Sequence, residues 1–294
     1  MSILLNLIFK IFNDVIKMKK ILILGSSGLI GCTLYKYLSS IKEISVEGTY
    51  NSNKLPFKYQ KKFNFIKDDM NFFQNYDLII NCIGITKHNP SYSDINLVFN
   101  LNVRLPLMLN DLAKEKKINV IHISSDCVFS GDTGNYKEKD TDYAIDLYGQ
   151  TKRIAENLMK NSLVIRTSTI GHEFFYKYGL LEWFISNKDE CVGFKNAYFN
   201  GLTTLELAKV IYKYFISKSY YPKLLLNVGS NRISKYDLLC KLNTVYDLNI
   251  NIEKNYDFKI DRTLNISKFL NLTDYKLKTW YKMLLENKNY INNV

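Results

Sequence analysis

The sequence predicts an α/β fold, a doubly wound parallel sheet with helices on both faces, followed by a smaller C-terminal lobe. Three observations predict it. From Lys20 onward, short apolar runs alternate with segments of helical period, the pattern of strands joined by crossover helices. A glycine-rich turn, Gly25-Ser26-Ser27-Gly28-Leu29-Ile30-Gly31, stands between the first apolar run and the first helical segment. The run at 77–85, DLIINCIGI, is almost continuously apolar, as strands buried on both faces are.

Taken in order, residues 21–24 read as a buried strand and 29–38 as the helix behind it. Residues 44–50 form a second strand with Asn51-Ser52-Asn53 as its exit turn, 63–66 a short third and 77–85 a fourth. A helix over 100–116 leads to a fifth strand at 119–124. A polar loop, 131–145, precedes a helix at 147–160 and a strand at 163–166. Beyond Thr167 the alternation weakens, with helices at 180–185, 204–215 and 235–246. The division expected is an N-terminal extension (1–17), a Rossmann-like nucleotide-binding domain (18–166) and a lobe (167–294), some of whose segments return to the main sheet.

The extension places Leu4, Ile8, Ile11, Phe12, Val15 and Ile16 on one face of a short amphipathic helix. It lacks a positive n-region and a small-residue cleavage site, and Lys10 interrupts it, so it does not read as a secretory signal. Met18-Lys19-Lys20-Ile21 is a natural beginning for the first strand; an upstream start is the favoured reading of 1–17, and a peripheral helix the second.

Composition narrows the function classes. The chain has 294 residues and a formal charge of +12. Arg occurs only at 104, 153, 166, 232 and 262, and the excess is scattered Lys in a background rich in Asn, Ile and Tyr. No recognition motif accompanies the charge, which argues against a nucleic-acid partner. The five cysteines, Cys32, Cys82, Cys127, Cys191 and Cys240, contain no C-x-x-C pair, as in a cytoplasmic protein with reduced thiols. His88, His122 and His172 show no paired spacing, so no metal site is expected. No stretch is long and apolar enough to span a membrane.

The chemistry is carried by three motifs. The turn Gly25 to Gly31, read with Ser27, Gly28, Leu29 and Ile30, lets the backbone approach a pyrophosphate at a helix N-terminus. Its spacing is G-x-x-G-x-x-G rather than G-x-G-x-x-G, so its place between strand and helix carries the reading. The second strand ends on Asn51 and Ser52, with Lys54 nearby and no carboxylate at its tip; Glu47 lies too early. A 2′-phosphate would meet no repulsion there, so NADPH is favoured over NADH. Asp69, after the third strand, is a candidate for the adenine end.

Tyr148 and Lys152 lie four apart on a predicted helix, hence on one face. A cation beside a phenol favours the phenolate and tunes a general acid or base. The third motif, His122-Ile123-Ser124-Ser125-Asp126-Cys127-Val128-Phe129, ends the fifth strand, and ligands gather at such ends in parallel sheets. There the Ser125 hydroxyl would orient a carbonyl oxygen beside Tyr148. Cys82 and Gly84, at the end of the fourth strand, join the cofactor-facing set. Arg166 divides evenly between substrate contact and structural ion pair, Trp183 reads as core, and His122 as structural.

With these motifs in place, the chain resembles the extended short-chain dehydrogenases similar to dTDP-4-dehydrorhamnose reductase. ILILGSSGLIG, ISSDCVFSG, DLYGQTKRIAE, VIRTSTIGHE, GLTTLELA and DRTLNISKF carry the resemblance, from about Ile21 to near Leu272. It implies a Rossmann fold, a nicotinamide cofactor and a nucleotide-sugar substrate, with hydride passing to the C4 keto carbon as Tyr148 protonates the oxygen. It further implies that Lys152 holds the ribose hydroxyls and that Asn102 supports Lys152. Ser125, Asp126, Cys127, Thr169, His172 and Arg262 are implied on the substrate side, with Arg262 either clamping a diphosphate or docking the lobe. Cys127 and Thr169 replace an aromatic residue and a Trp common in the family, which leaves room for a bulkier sugar, such as an N-acetylated UDP-4-keto-6-deoxyhexose. Two alternatives stay open: an epimerase or dehydratase with tightly held NAD, and a non-catalytic NADP-binding regulatory subunit. A homodimer is compatible with either.

Overall fold

A computed structural model describes residues 18–68, 70–175, 178–187 and 189–292. Residues 1–17 and Asp69, for which a helix or upstream start and an adenine contact were expected, lie outside the described residues.

Strands β1 (Lys19–Leu24), β2 (Ile44–Tyr50), β3 (Gln60–Lys62), β4 (Leu78–Asn81), β5 (Asn119–Ser125) and β6 (Leu163–Thr167) form one sheet together with a later strand, β10 (Leu225–Asn227). The order is β10-β6-β5-β4-β1-β2-β3, and every pair is parallel. Its connections reverse direction between β1 and β4, which opens a crevice at the carboxyl ends of those strands. Helix α1 (Leu29–Ser39) covers one face with Ile21, Ile23, Leu34 and Leu38. The other face carries α2 (Ile95–Phe99), α3 (Leu105–Glu115) and α4 (Leu147–Leu158), with Leu22, Leu24, Leu105 and Leu109 among its core.

The lobe contains a three-stranded sheet ordered β11-β8-β12, from β8 (Glu190–Phe199), β11 (Ile233–Ser234) and β12 (Asn251–Asp261), and a small pair, β7 (Thr169–Ile170) with β9 (Leu202–Thr203). Helices α5 (Leu180–Ser186), α6 (Thr204–Ile211), α7 (Lys235–Tyr246), α8 (Ser267–Leu272) and α9 (Trp280–Asn292) follow β6 in the chain, and α6 packs on α1 beside the main sheet, where Thr33 and Thr204 bond at 3.0 Å.

Several elements differ from expectation. The third strand is not 63–66 but the polar Gln60–Lys62. It is the sheet edge, where Lys61 and Lys62 face solvent, while Phe63 turns inward against Phe72 and Phe73. The helix expected from Asn100 begins at Ile95, where the Asp94 side chain accepts from Leu97 N at 3.0 Å. Pro106 has no N–H for the carbonyl of Asn102, and the chain widens into a π turn over Asn100–Arg104. Trp183 is 41% exposed rather than core.

Candidate active site

Local backbone needs shape the glycine turn. Gly25 has φ +78°, and a Cβ on Gly31 would lie 2.2 Å from the Gly25 carbonyl oxygen, so neither position tolerates a side chain. Thr49 braces the turn from β2: its Oγ1 accepts from Gly25 N and its carbonyl from the Ser26 hydroxyl, each at 3.0 Å. Ser26 therefore faces protein, while Ser27, Gly28, Leu29 and Ile30 line a cleft of about 550 Å³. Helix α1 begins with no side-chain cap at Gly28 and no acidic residue in its first turn. Its N-terminal N–H groups remain available to an anion, so a loop that a Cβ would fill and an uncapped helix start together fit a dinucleotide diphosphate. Gly31→Ala is accordingly expected to weaken binding of such a dinucleotide by about tenfold or more; isothermal titration calorimetry showing unchanged affinity would remove the loop from the binding site.

The rest of the cleft wall comes from strand ends. Cys82 and Gly84 follow β4; Ser124, Ser125, Asp126 and Cys127 end β5; Tyr148 and Lys152 reach in from α4; Thr169 and Arg262 stand toward the lobe. Helix α4 starts where it does because the Asp146 side chain accepts from Gly149 N at 3.0 Å. Lys87 fixes that cap through a 2.7 Å ion pair.

Tyr148 and Lys152 are buried, 9% and 4% exposed. Lys152 Nζ donates to the Ile123 carbonyl at 2.8 Å. Burial pulls its pKa down to about 8 against the upward pull of Glu156 and Cys82. Burial also pushes the Tyr148 phenol above its ordinary value; the nearby Cys127 adds to this, and the Ser125 hydroxyl opposes it. Desolvation dominates both groups, so the phenol is raised, rather than lowered by the neighbouring ammonium as the spacing suggests. Ser125 Oγ donates to Asp126 Oδ1 and accepts from Cys127 N, both at 3.1 Å. Burial raises the Asp126 carboxyl, and Lys235 is the leading opposing charge.

Four expected residues stand elsewhere. The Asn102 amide bonds elsewhere than Lys152: its Oδ1 accepts from Ile85 N at 2.8 Å, and its Nδ2 donates to Ile85 O and Thr151 Oγ1. It pins the loop after β4 to the π turn. His172 is outside the cleft lining, because its ring nitrogens are taken by Glu182 at 2.8 Å and Tyr246 at 2.7 Å. Asn51 and Ser52 are exposed at the β2 tip, beyond that lining. Arg262 lines the cleft, but its Nε and Nη2 donate to the carbonyls of Phe129 and Ser130 at 3.0 and 3.2 Å. These two bonds commit the Nε–Nη2 edge of the guanidinium to docking against the loop after β5.

Arg166 resolves as structural. It forms a two-pronged bond to Glu156, at 3.1 and 2.6 Å, and a 3.2 Å bond to Asn227. Sequence reasoning missed Lys87, Glu173 and the half-exposed Phe174, Phe175 and Tyr178, all on the cleft wall. The one signal for Lys87 was its place just after the apolar run of β4. A second groove, of about 610 Å³, lies in the lobe between Tyr198, Arg232 and Trp280 and holds none of the predicted residues. No cluster of three or more His, Cys, Asp or Glu suited to a metal ion occurs among the described residues.

Residues 18–179, which contain the glycine turn, Ser125, Tyr148 and Lys152, match the RmlD substrate binding domain family. The chain belongs to this family. Relatives include a dTDP-4-dehydrorhamnose reductase of Aggregatibacter actinomycetemcomitans, 28% identical over 160 residues, covering 51% of each chain. Another is the probable low-salt glycan biosynthesis reductase Agl14 of Haloferax volcanii, 28% identical over 156 residues, 50% of this chain and 52% of the relative. The chain thus spans about half the length of these relatives. The fold also recurs in solved structures. A hypothetical dTDP-4-dehydrorhamnose reductase of Sulfolobus tokodaii has a TM-score of 0.75 at 23% identity, covering 88% of this chain and 97% of that one. The dTDP-4-dehydrorhamnose reductase of Bacillus anthracis in complex with NADP has a TM-score of 0.76 at 17% identity, with 92% and 99% covered. Family membership agrees with the resemblance carried by the motifs, and no helix among the described residues is long and apolar enough to cross a membrane.

Proposed function

We propose that the chain is an NAD(P)H-dependent reductase of the C4 keto group of a nucleotide-linked 4-keto-6-deoxysugar, working in cytoplasmic synthesis of a surface-polysaccharide precursor. The observation that carries this is the meeting of Ser125, Tyr148 and Lys152 on one cleft wall with the uncapped start of α1. Ser27, Gly28, Leu29 and Ile30 would hold the diphosphate, and Cys82, Gly84 and Lys152 the nicotinamide half. NAD(P)H, when bound, supplies the hydride. Tyr148 supplies the proton: its raised pKa keeps the phenol protonated at neutral pH, the state a reduction needs as negative charge develops on the sugar oxygen. Ser125 presents its hydroxyl to that oxygen. NADPH is favoured because the one carboxylate of β2, Glu47, is engaged with Lys61 at 2.7 Å and with Tyr76 at 2.5 Å, which leaves none at the tip.

On the sugar side, Cys127 and Thr169 are modest in volume, which leaves room for a bulky substituent, so the candidates are a dTDP-4-dehydrorhamnose-like sugar and a UDP-linked acetamido sugar. The test is a panel of 4-keto sugar nucleotides with NADPH and NADH. Stoichiometric loss of reduced nicotinamide with one of these two substrates is the expected result. Isomerisation without net absorbance change would point to an epimerase, and cofactor binding without any turnover to a regulatory subunit. Faster turnover of dTDP-4-dehydrorhamnose would overturn the size argument alone.

A further inference from the structure

Strand β5 carries two buried polar side chains that the proposed reduction does not use. Successive residues of a strand alternate in face, so Val120, His122 and Ser124 point the same way. That way is toward α3 and α4, since Val120 packs with Leu105, Leu109 and Met159. His122 is fully buried and Ser124 is 4% exposed.

The tautomer of His122 is fixed by its neighbour. Asn81 Oδ1 accepts from Ile83 N at 3.0 Å, so the amide nitrogen is the atom that faces His122 Nδ1 at 3.1 Å. An amide N–H donates, Nδ1 therefore accepts, and the proton of the neutral ring sits on Nε2. Burial, with Lys152 adding to it, holds the ring neutral. Neither His122 Nε2 nor Ser124 Oγ has a hydrogen-bond partner among the described residues. Between them in sequence is Ile123, whose carbonyl receives Lys152 Nζ.

Buried groups of this kind are ordinarily satisfied by ordered water, which makes about three hydrogen bonds in such sites. We propose that His122 and Ser124 form an internal water site behind Lys152, and that the water held there positions the Lys152 ammonium. One molecule satisfies all three groups by accepting from His122 Nε2–H and from Lys152 Nζ–H and donating to Ser124 Oγ. His122 and Ser124 are then positioning residues that act through Lys152. Their kinetic consequence, though not the site itself, rests on the reductase reading.

The sign of the effect follows from the groups around Lys152: Cys82 beyond β4, Glu156 and Tyr148 on α4, and the neutral His122 on β5. A water that accepts from the ammonium favours its charged form. Loss of the site lowers a pKa that burial has already brought to about 8, so the alkaline fall of kcat moves to lower pH.

A high-resolution crystal structure is expected to show one water within hydrogen-bonding distance of both His122 Nε2 and Ser124 Oγ; empty density there overturns the proposal. In Ser124→Ala and in His122→Phe the alkaline limb is expected about one pH unit lower, and His122→Gln, which keeps an N–H donor, restores it. NMR titration of labelled lysine gives the same shift for Lys152 without turnover; an unmoved titration in Ser124→Ala, the milder variant, removes the positioning role. If the wild type reduces no sugar nucleotide, the proposed function fails, while the density and the titration still decide this site.

Discussion

Replacing Tyr148 by Phe is expected to lower kcat by about 10²–10⁴-fold, the range associated with one general acid, while NADPH affinity stays unchanged. The phenol is the protonated group on the cleft wall beside Ser125, and the substitution removes only its oxygen. Phenylalanine fills the same buried volume at a position 9% exposed, so folding is preserved. The Tyr148 backbone N–H, which donates to Tyr92 Oη at 3.1 Å, is retained. A fall in kcat with constant KM is the signature of an interaction made only in the transition state. Steady-state kinetics with the best substrate of the panel, beside calorimetric titration of NADPH, provide the check; undiminished turnover would strip Tyr148 of its role.

The second large effect is on stability. Glu156→Ala is expected to destabilise the fold by about 3–5 kcal/mol, as when one member of a buried ion pair is removed. The Arg166 and Glu156 side chains are 2% and 1% exposed, and the guanidinium carbon lies 4.6 Å from the Phe129 ring centroid. Without Glu156 the cation keeps one neutral partner, Asn227, in surroundings that water does not reach. Urea denaturation of wild type and variant measures the difference; a loss below about 1 kcal/mol, the level of an exposed pair, would show that water enters the site.

The sheet and the residues that meet on the cleft wall were legible because each rests on a local rule. The period of Leu29 to Leu38, the turn at Gly25 and the spacing of Tyr148 and Lys152 are properties of neighbouring residues, and they suffice to bring those groups to one crevice. What failed depended on distant partners. β12 reads NIEKNYDFKID, largely exposed, so its strand character comes from pairing with β8 rather than from an apolar pattern. His172 looked available at a strand end, but Glu182 and Tyr246, ten and seventy-four residues away, claim its nitrogens. Asn102 was placed correctly on its helix, yet the widened turn before Pro106 aims it at Ile85 instead of Lys152. The pKa balance at Tyr148 was misjudged because the sequence shows which charge is near but not how much water is gone.

The short strand β10 has a consequence for any attempt to divide this molecule. Leu225 to Asn227 pair with Val164 to Arg166, sealing a row of backbone donors and acceptors that would otherwise stand open. A fragment stopped at Gly179, where the family match ends, would leave β6 as a bare border, ready to recruit a strand from another molecule. A piece of this chain that keeps β6 covered must therefore run past Asn227, beyond the stretch recognisable by kinship.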